Sequence, residues 1–186
     1  MNERQQLHAF VVYVENEPGV LNRVASLFRR RGYNIDSVTV GHTEREGISR
    51  MTVLAAISDS LAQRVEANIY KLVNVISVED VTHLPKITRS LAVIKVRADE
   101  EARHRLTEIA RVFRARVVDL APESIVIEIT GAEEKIQALV DVLRPFGILE
   151  MAQTGKVVMS RGVRRNGKDS SASAVPAFEF EAAQSV

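Results

Sequence analysis

Two successive runs of strand and helix signals in the order β–α–β–β–α–β predict an α+β chain of two ferredoxin-like (βαββαβ) domains followed by a disordered tail. Three observations carry this. Apolar residues switch between the strand period of 2 and the helix period of 3.6 in the same sequence on either side of Pro85. Polar segments rich in Gly, Pro, Asn and Asp separate the runs. The chain has 186 residues, 46% hydrophobic and 26% charged, which suffices for two small cores with little margin. The predicted bounds are 5–83 and 88–160 for the domains and 161–186 for the tail.

In the first domain, Leu7 to Val14 is almost wholly apolar and β-rich, and it reads as a buried strand ending at the turn Glu15-Asn16-Glu17-Pro18-Gly19. Val20, Leu21, Val24, Leu27 and Phe28 then recur at helical spacing, with Asn22, Arg23, Ser26, Arg29 and Arg30 on the other face, and the helix ends near Gly32. Tyr33–Val40 and Ile48–Ile57 predict two strands joined by a polar loop with glycine at both ends. Asp59 or Ser60 is placed to cap a second helix with the stripe Leu61, Val65, Ile69 and Leu72, and Val73–Val81 supplies the last strand.

After Thr88 the order repeats. Leu91–Val96 predicts a strand, and Leu106, Ile109, Ala110 and Phe113 mark a helix starting near Asp99. Arg116–Leu120 and Ser124–Thr130 form a strand pair about Pro122, and Ile136, Leu139, Val140 and Leu143 line a second helix. The final strand is expected within Gly147–Ser160, interrupted at Gly155. Residue identity between the halves is poor, so the repeat is one of architecture. From Arg161 the pattern collapses into basic and small polar residues, with Phe178 and Phe180 between acids, and disorder is expected there.

Composition excludes several chemistries. With 25 Lys and Arg against 24 Asp and Glu, the formal charge of +1 does not fit a globally basic nucleic-acid binder. Zero cysteines remove disulfides, thiolate metal sites and thiol catalysis, and the lack of Trp argues against base-stacking platforms. No apolar run reaches the length of a membrane span, and Met1-Asn2-Glu3-Arg4 lacks the order of a signal peptide, so a cytoplasmic location is expected. His8, His42, His83 and His104 show no short ligand spacing and are expected on surfaces or loops; no metal site is predicted. Ser49, in Gly47-Ile48-Ser49-Arg50-Met51, lacks the setting of a nucleophile elbow, and no phosphate-binding glycine loop is present. No catalytic residue is predicted.

One turn stands out, Asn16-Glu17-Pro18-Gly19. Proline is preorganised for a first helical turn, the free N–H groups of a helix N-terminus suit a carboxylate, and glycine permits close approach. The plainer reading makes Asn16 a cap only and Gly19 a turn residue only, the commoner arrangement. A second candidate is Asn34, at the exit of the first helix, whose amide can donate and accept; a turn residue is its commoner role.

These residues resemble a known family. ENEPGVLNRV from Glu15, LFRRRGYNIDSVTV from Leu27 and ISRMTV from Ile48 look like the ACT domain of the small, regulatory subunit of acetolactate synthase. VFRARVVDLAPESIVIEITG from Val112 and LRPFGILEMAQTGKVVMSRG from Leu143 are similar to that family's C-terminal domain, so the likeness runs from about Leu7 to Gly162. The resemblance implies an N-terminal ACT domain and a chain without catalysis of its own. It implies a large subunit that carries thiamine diphosphate, Mg²⁺ and FAD, and that is activated by this chain and made sensitive to feedback by branched-chain amino acids, valine first, in their biosynthesis.

The family's ACT domains dimerise and hold the effector between them. Residue by residue, this implies that Gly19, with Val20 and Leu21, receives the effector carboxylate. Asn16 holds its polar end, Asn34 closes the site from the partner chain, and Ile35 lines its apolar side. Gln153 is a departure, since many members carry Arg there. Two other readings compete: a freestanding amino-acid sensor, and an acylphosphatase-like hydrolase using Arg23 or Arg29, which no glycine-rich anion loop precedes.

Overall fold

The computed structural model describes residues 5–162, and the chain divides into two compact units whose main boundary lies between His83 and Leu84. The tail from residue 163, with Phe178 and Phe180, lies outside the described residues. No helix among the described residues is long and apolar enough to cross a membrane.

The first unit runs β1 (Gln6–Glu15), α1 (Val20–Arg31), β2 (Ser37–His42), β3 (Ile48–Ile57), α2 (Asp59–Tyr70) and β4 (Val75–Asp80). Its sheet has the order β2-β3-β1-β4, the ferredoxin-like arrangement. The antiparallel pairing of β1 with β3 runs unbroken from Gln6↔Ile57 to Glu15↔Ile48, whereas β4 slips against β1 between Tyr13 and Val14. Strand alternation sends Phe10, Val12 and Val14 to one face, where they meet Val20, Val24, Leu27 and Phe28 of α1 and Ala62, Val65 and Ile69 of α2. Phe28 is fully enclosed, and truncating such a side chain to alanine costs about 3–5 kcal/mol.

Glycines bracket α1. Gly19 precedes it at φ 83°, and Gly32 closes it at φ 71° with its N–H on the carbonyl of Arg29. Arg29, Arg30 and Arg31 sit in the last turn, where positive charge complements the carbonyl end of the helix.

In this unit two departures from the sequence expectation have a visible cause. The strand expected from Tyr33 begins at Ser37, because the left-handed turn at Gly32 tucks Tyr33 edge-to-face against Phe28 and seats Ile35 on the core. Asp36 then joins β3 through its own N–H to the carbonyl of Leu54 and its carboxylate to the N–H of Ala56, both 2.8 Å. The residue before α2 is Ser58, not Asp59 or Ser60, and its side chain makes no capping bond; Asp59 is the first helical residue, where its charge favours the helix N-terminus.

The second unit runs β5 (Lys86–Arg97), α3 (Glu100–Val112), β6 (Arg116–Ala121), β7 (Ser124–Gly131), α4 (Glu133–Leu143), a 3-10 turn (Arg144–Phe146), β8 (Ile148–Gln153) and β9 (Val157–Ser160). The order β6-β7-β5-β8 repeats the first sheet's pattern. Ala92, Ile94 and Val96 of β5 and Ile125, Ile127 and Ile129 of β7 pack against Leu106, Ala110, Ile136, Leu139 and Leu143. Asp99 caps α3 by accepting from the N–H of Ala102 at 2.8 Å.

β5 starts five residues before the expected Leu91, because its first part pairs with β9 (Lys86↔Ser160 to Arg89↔Val157) and its second with β8 (Ala92↔Gln153 to Val96↔Ile148). The final strand is therefore two strands. Thr154 makes the join: its N–H donates to the carbonyl of Leu91 and its hydroxyl accepts from the N–H of Leu91, so the register slips there without leaving that N–H unpaired.

Candidate functional site

The β1–α1 turn is held from both sides. Asn16 donates its N–H to the carbonyl of Gly47 at 2.7 Å, Glu17 donates to Glu15 at 2.9 Å, and Arg23 N–H reaches Gly19 at 3.0 Å. Gly19 stands at the N-cap position, not Asn16, and neither a capping side chain nor an acidic residue in the first turn occupies the helix N-terminus. A β-carbon built on Gly19 meets nothing within 4 Å. The N–H of Val20 reaches the carbonyl of Glu17 at 3.4 Å, and the helix N-terminus as a whole carries the positive partial charge that suits an anion. Val20 is buried and anchors the turn in the core, while Asn16, Gly19 and Leu21 are exposed.

Asn16 is also tied through its side chain. Ser49, on β3 and 4% exposed, donates its hydroxyl to Asn16 Oδ1 at 3.0 Å. Nearby, Asn74 adopts the left-handed φ of 72° and bridges Arg23 of α1 to Glu15 of β1 through both ends of its amide.

Within one chain the structure brings Asn16, Gly19, Val20 and Leu21 together and keeps Asn34 and Ile35 away. The twelve residues of α1 separate the two groups by about 18 Å along the helix axis. Asn34 is exposed at the far pole, and Ile35 is half-buried against the core there.

A second polar cluster escaped the sequence reading. His8, expected on a surface or loop, is 1% exposed within β1. Its Nδ1 lies 2.6 Å from Asp80 Oδ2 and its Nε2 3.3 Å from Asp59 Oδ1. Thr82 joins by donating its hydroxyl to Asp80 and accepting from the N–H of Ala9. Hydrogen bonds from Gln6 and then His83 hold the Asp59 carboxyl below the ordinary carboxylate value. Burial pushes the Glu66 carboxyl up, partly opposed by its contact with the N–H of Asp80 at 3.4 Å. His42, His83 and His104 are exposed, and among the described residues no group of three or more His, Asp or Glu side chains is arranged to hold a metal ion.

A family described as the AHAS small subunit-like ACT domain matches residues 10–77, and one described as the small subunit of acetolactate synthase matches residues 89–162. The chain belongs to the acetolactate synthase small-subunit family. It is 46% identical over 167 residues to the acetolactate synthase small subunit of Mycolicibacterium smegmatis, covering 90% of this chain and 98% of that one. It is 44% identical over 155 residues to that of Aquifex aeolicus, covering 83% and 81%. The crystal structure of the Thermotoga maritima small subunit superposes with a TM-score of 0.80 at 38% identity, covering 86% of this chain and 99% of that chain. Members of this family are regulatory subunits of a complex whose catalytic subunit is a separate chain, so a large catalytic subunit is the implied partner.

In the C-terminal unit, Gln153 ends β8. Its amide donates to Glu133 Oε1 at 3.0 Å, and Lys156 Nζ lies 3.6 Å from Glu133 Oε2. The positive charge facing that carboxylate is thus Lys156's.

Proposed function

We propose that this small subunit activates its large catalytic subunit and confers feedback inhibition by a branched-chain amino acid, valine first, bound between the ACT units of a homodimer. The thiamine diphosphate chemistry, with its Mg²⁺ and FAD, belongs to the large subunit, and the complex works in the cytoplasm. On this reading Gly19, Val20 and Leu21 receive the effector carboxylate, Asn16 holds its polar end, and Asn34 and Ile35 come from the partner chain.

The observation that supports a shared site is topological. β3 runs antiparallel to β1 and, by the Asp36–Leu54 and Thr43–Ile48 hydrogen bonds of its hairpin, antiparallel to β2 as well. β2 therefore ends at the pole that carries Gly19 and starts at the pole that carries Asn34. It is also the sheet's edge, with Val38 and Val40 about two-fifths exposed. An edge of this kind is a template for pairing. Antiparallel pairing of β2 with a second copy about a two-fold axis reverses the partner's poles, so the partner's start of β2, and Asn34 before it, arrives at this chain's Gly19 turn.

A helix N-terminus recognises a carboxylate, and apolar contacts recognise the side chain. Each added methylene changes affinity by only about 0.8 kcal/mol, so valine, leucine and isoleucine would be separated by pocket shape in modest ratios. Regulation further requires that the effector bind the inhibited state more tightly than the active one. The test is reconstitution with the cognate large subunit, measuring acetolactate formation with and without each branched-chain amino acid. Activation by the small subunit and inhibition by at least one effector are expected. A large subunit whose rate is indifferent to this chain would overturn the reading.

A further inference from the structure

We propose that Ser49 is a positioning residue for the effector: its buried hydroxyl fixes the Asn16 amide so that the NH₂ group faces the carboxylate at the Gly19 turn. This rests on the functional reading above and adds a residue to that site.

Ser49 lies on β3 opposite Val14, on the face of the sheet that packs under the helices, and it is 4% exposed. Its hydroxyl donates to Asn16 Oδ1 at 3.0 Å. A primary amide has one accepting end and one donating end. With the oxygen held by Ser49, the end left to solvent on exposed Asn16 is the donor. The Asn16 backbone is fixed as well, by its N–H bond to Gly47 at 2.7 Å, so neither the residue nor its amide plane is free to turn. The result is a side-chain donor on the turn that leads into α1, whose N-terminus has no side-chain cap and whose Val20 N–H reaches only the Glu17 carbonyl, at 3.4 Å; donors of this kind suit an anion and not an ammonium group.

Removing Ser49 leaves the amide free to rotate, so its donor is presented only part of the time. Ordering that is no longer preset must be supplied on binding. Ser49 thereby tunes affinity without touching the ligand.

The experiment uses the full chain reconstituted with its large subunit, titrated with valine, leucine and isoleucine. Thermal denaturation of each free variant controls for folding. Ser49→Ala is expected to raise the inhibition constant about five- to ten-fold, the usual effect of losing one neutral hydrogen bond. Ser49→Thr, which keeps the hydroxyl, is expected to stay near the parent. Asn16→Asp presents a second oxygen where the amide NH₂ stood, so it should lose more sensitivity than Asn16→Ala; this pair decides the question even if Ser49→Ala fails to fold.

An unchanged inhibition constant in folded Ser49→Ala, alongside a raised one in Asn16→Ala, would overturn the proposal while leaving the site standing. Asn16→Asp that is more sensitive than Asn16→Ala would overturn it too, since an outward carboxylate helps only if the ammonium is the group met there. If Gly19→Asp and Asn16→Ala both keep the parent's inhibition, the site itself is wrong and this inference falls with it.

Discussion

Replacing Gly19 by Asp separates what the turn does for the fold from what it does for a ligand. Gly19 holds φ 83°, a conformation costing a side-chain-bearing residue about 1–2 kcal/mol, with Asp among the more tolerant. Nothing lies within 4 Å of the added β-carbon, so no packing clash adds to this. A carboxylate at a helix N-terminus that has no acidic residue in its first turn returns about 0.3–1 kcal/mol. The free subunit should therefore stay within about 1 kcal/mol of the parent. On the proposed site, the same carboxylate would occupy the effector's place and repel it. Losing even one charge-assisted hydrogen bond is worth about 1.5–3 kcal/mol, or roughly ten- to more than a hundred-fold in the inhibition constant. Acetolactate formation by the reconstituted complex under valine, leucine and isoleucine titration reads the second effect, and urea denaturation of the free subunit reads the first. A stable Gly19→Asp subunit with the parent's inhibition constants would refute the assignment of the carboxylate to this turn.

A site shared between chains predicts complementation: homodimers of Gly19→Asp and of Asn34→Ala should each be insensitive, whereas mixing them should restore inhibition through one intact site per mixed dimer. Mixtures as insensitive as either parent would show that the site does not cross the interface. Val40→Lys places a charge on the β2 edge and should shift the chain toward monomer in sedimentation experiments while abolishing effector binding; an undisturbed dimer would locate the interface elsewhere. Burial raises the Glu66 carboxyl, so its penalty on folding is absent below the ordinary glutamate range and grows as pH rises through the raised value. Glu66→Gln should therefore melt higher than the parent near pH 7 and equally at about pH 3, and a difference of the same size at both would contradict this.

The elements most legible in the sequence were those whose signal is local. The 3.6-residue stripe from Val20 to Phe28, closed by Gly32, is complete within a dozen residues, and α1 follows it. The turn around Gly19 could be singled out for the same reason, since Pro18 and the helix start are its neighbours. Legibility failed where partners are distant in sequence. His8 sits in an apolar strand, and the carboxylates that enclose it come from Asp59 and Asp80. The bond that orients Asn16 comes from Ser49 on another strand, so a residue noticed only for what it cannot do as a nucleophile bears on the candidate site through a pairing no short motif records. The break at Gly155 was legible, but the pairing of β9 was not: it depends on the first residues of β5 and on Thr154 absorbing a register slip.

The length of α1 has a thermodynamic consequence. Because one helix holds the two halves of the proposed site at opposite ends, no monomer can bind the effector with a full set of contacts, and each dimer completes two sites at once. Ligand binding and association then form a single linked equilibrium. At a free effector concentration 100-fold above its dissociation constant, each site contributes about 2.7 kcal/mol to the dimer, roughly 5 kcal/mol for the pair. Abundant end product would in this way tighten the assembly that senses it, and scarcity would loosen it.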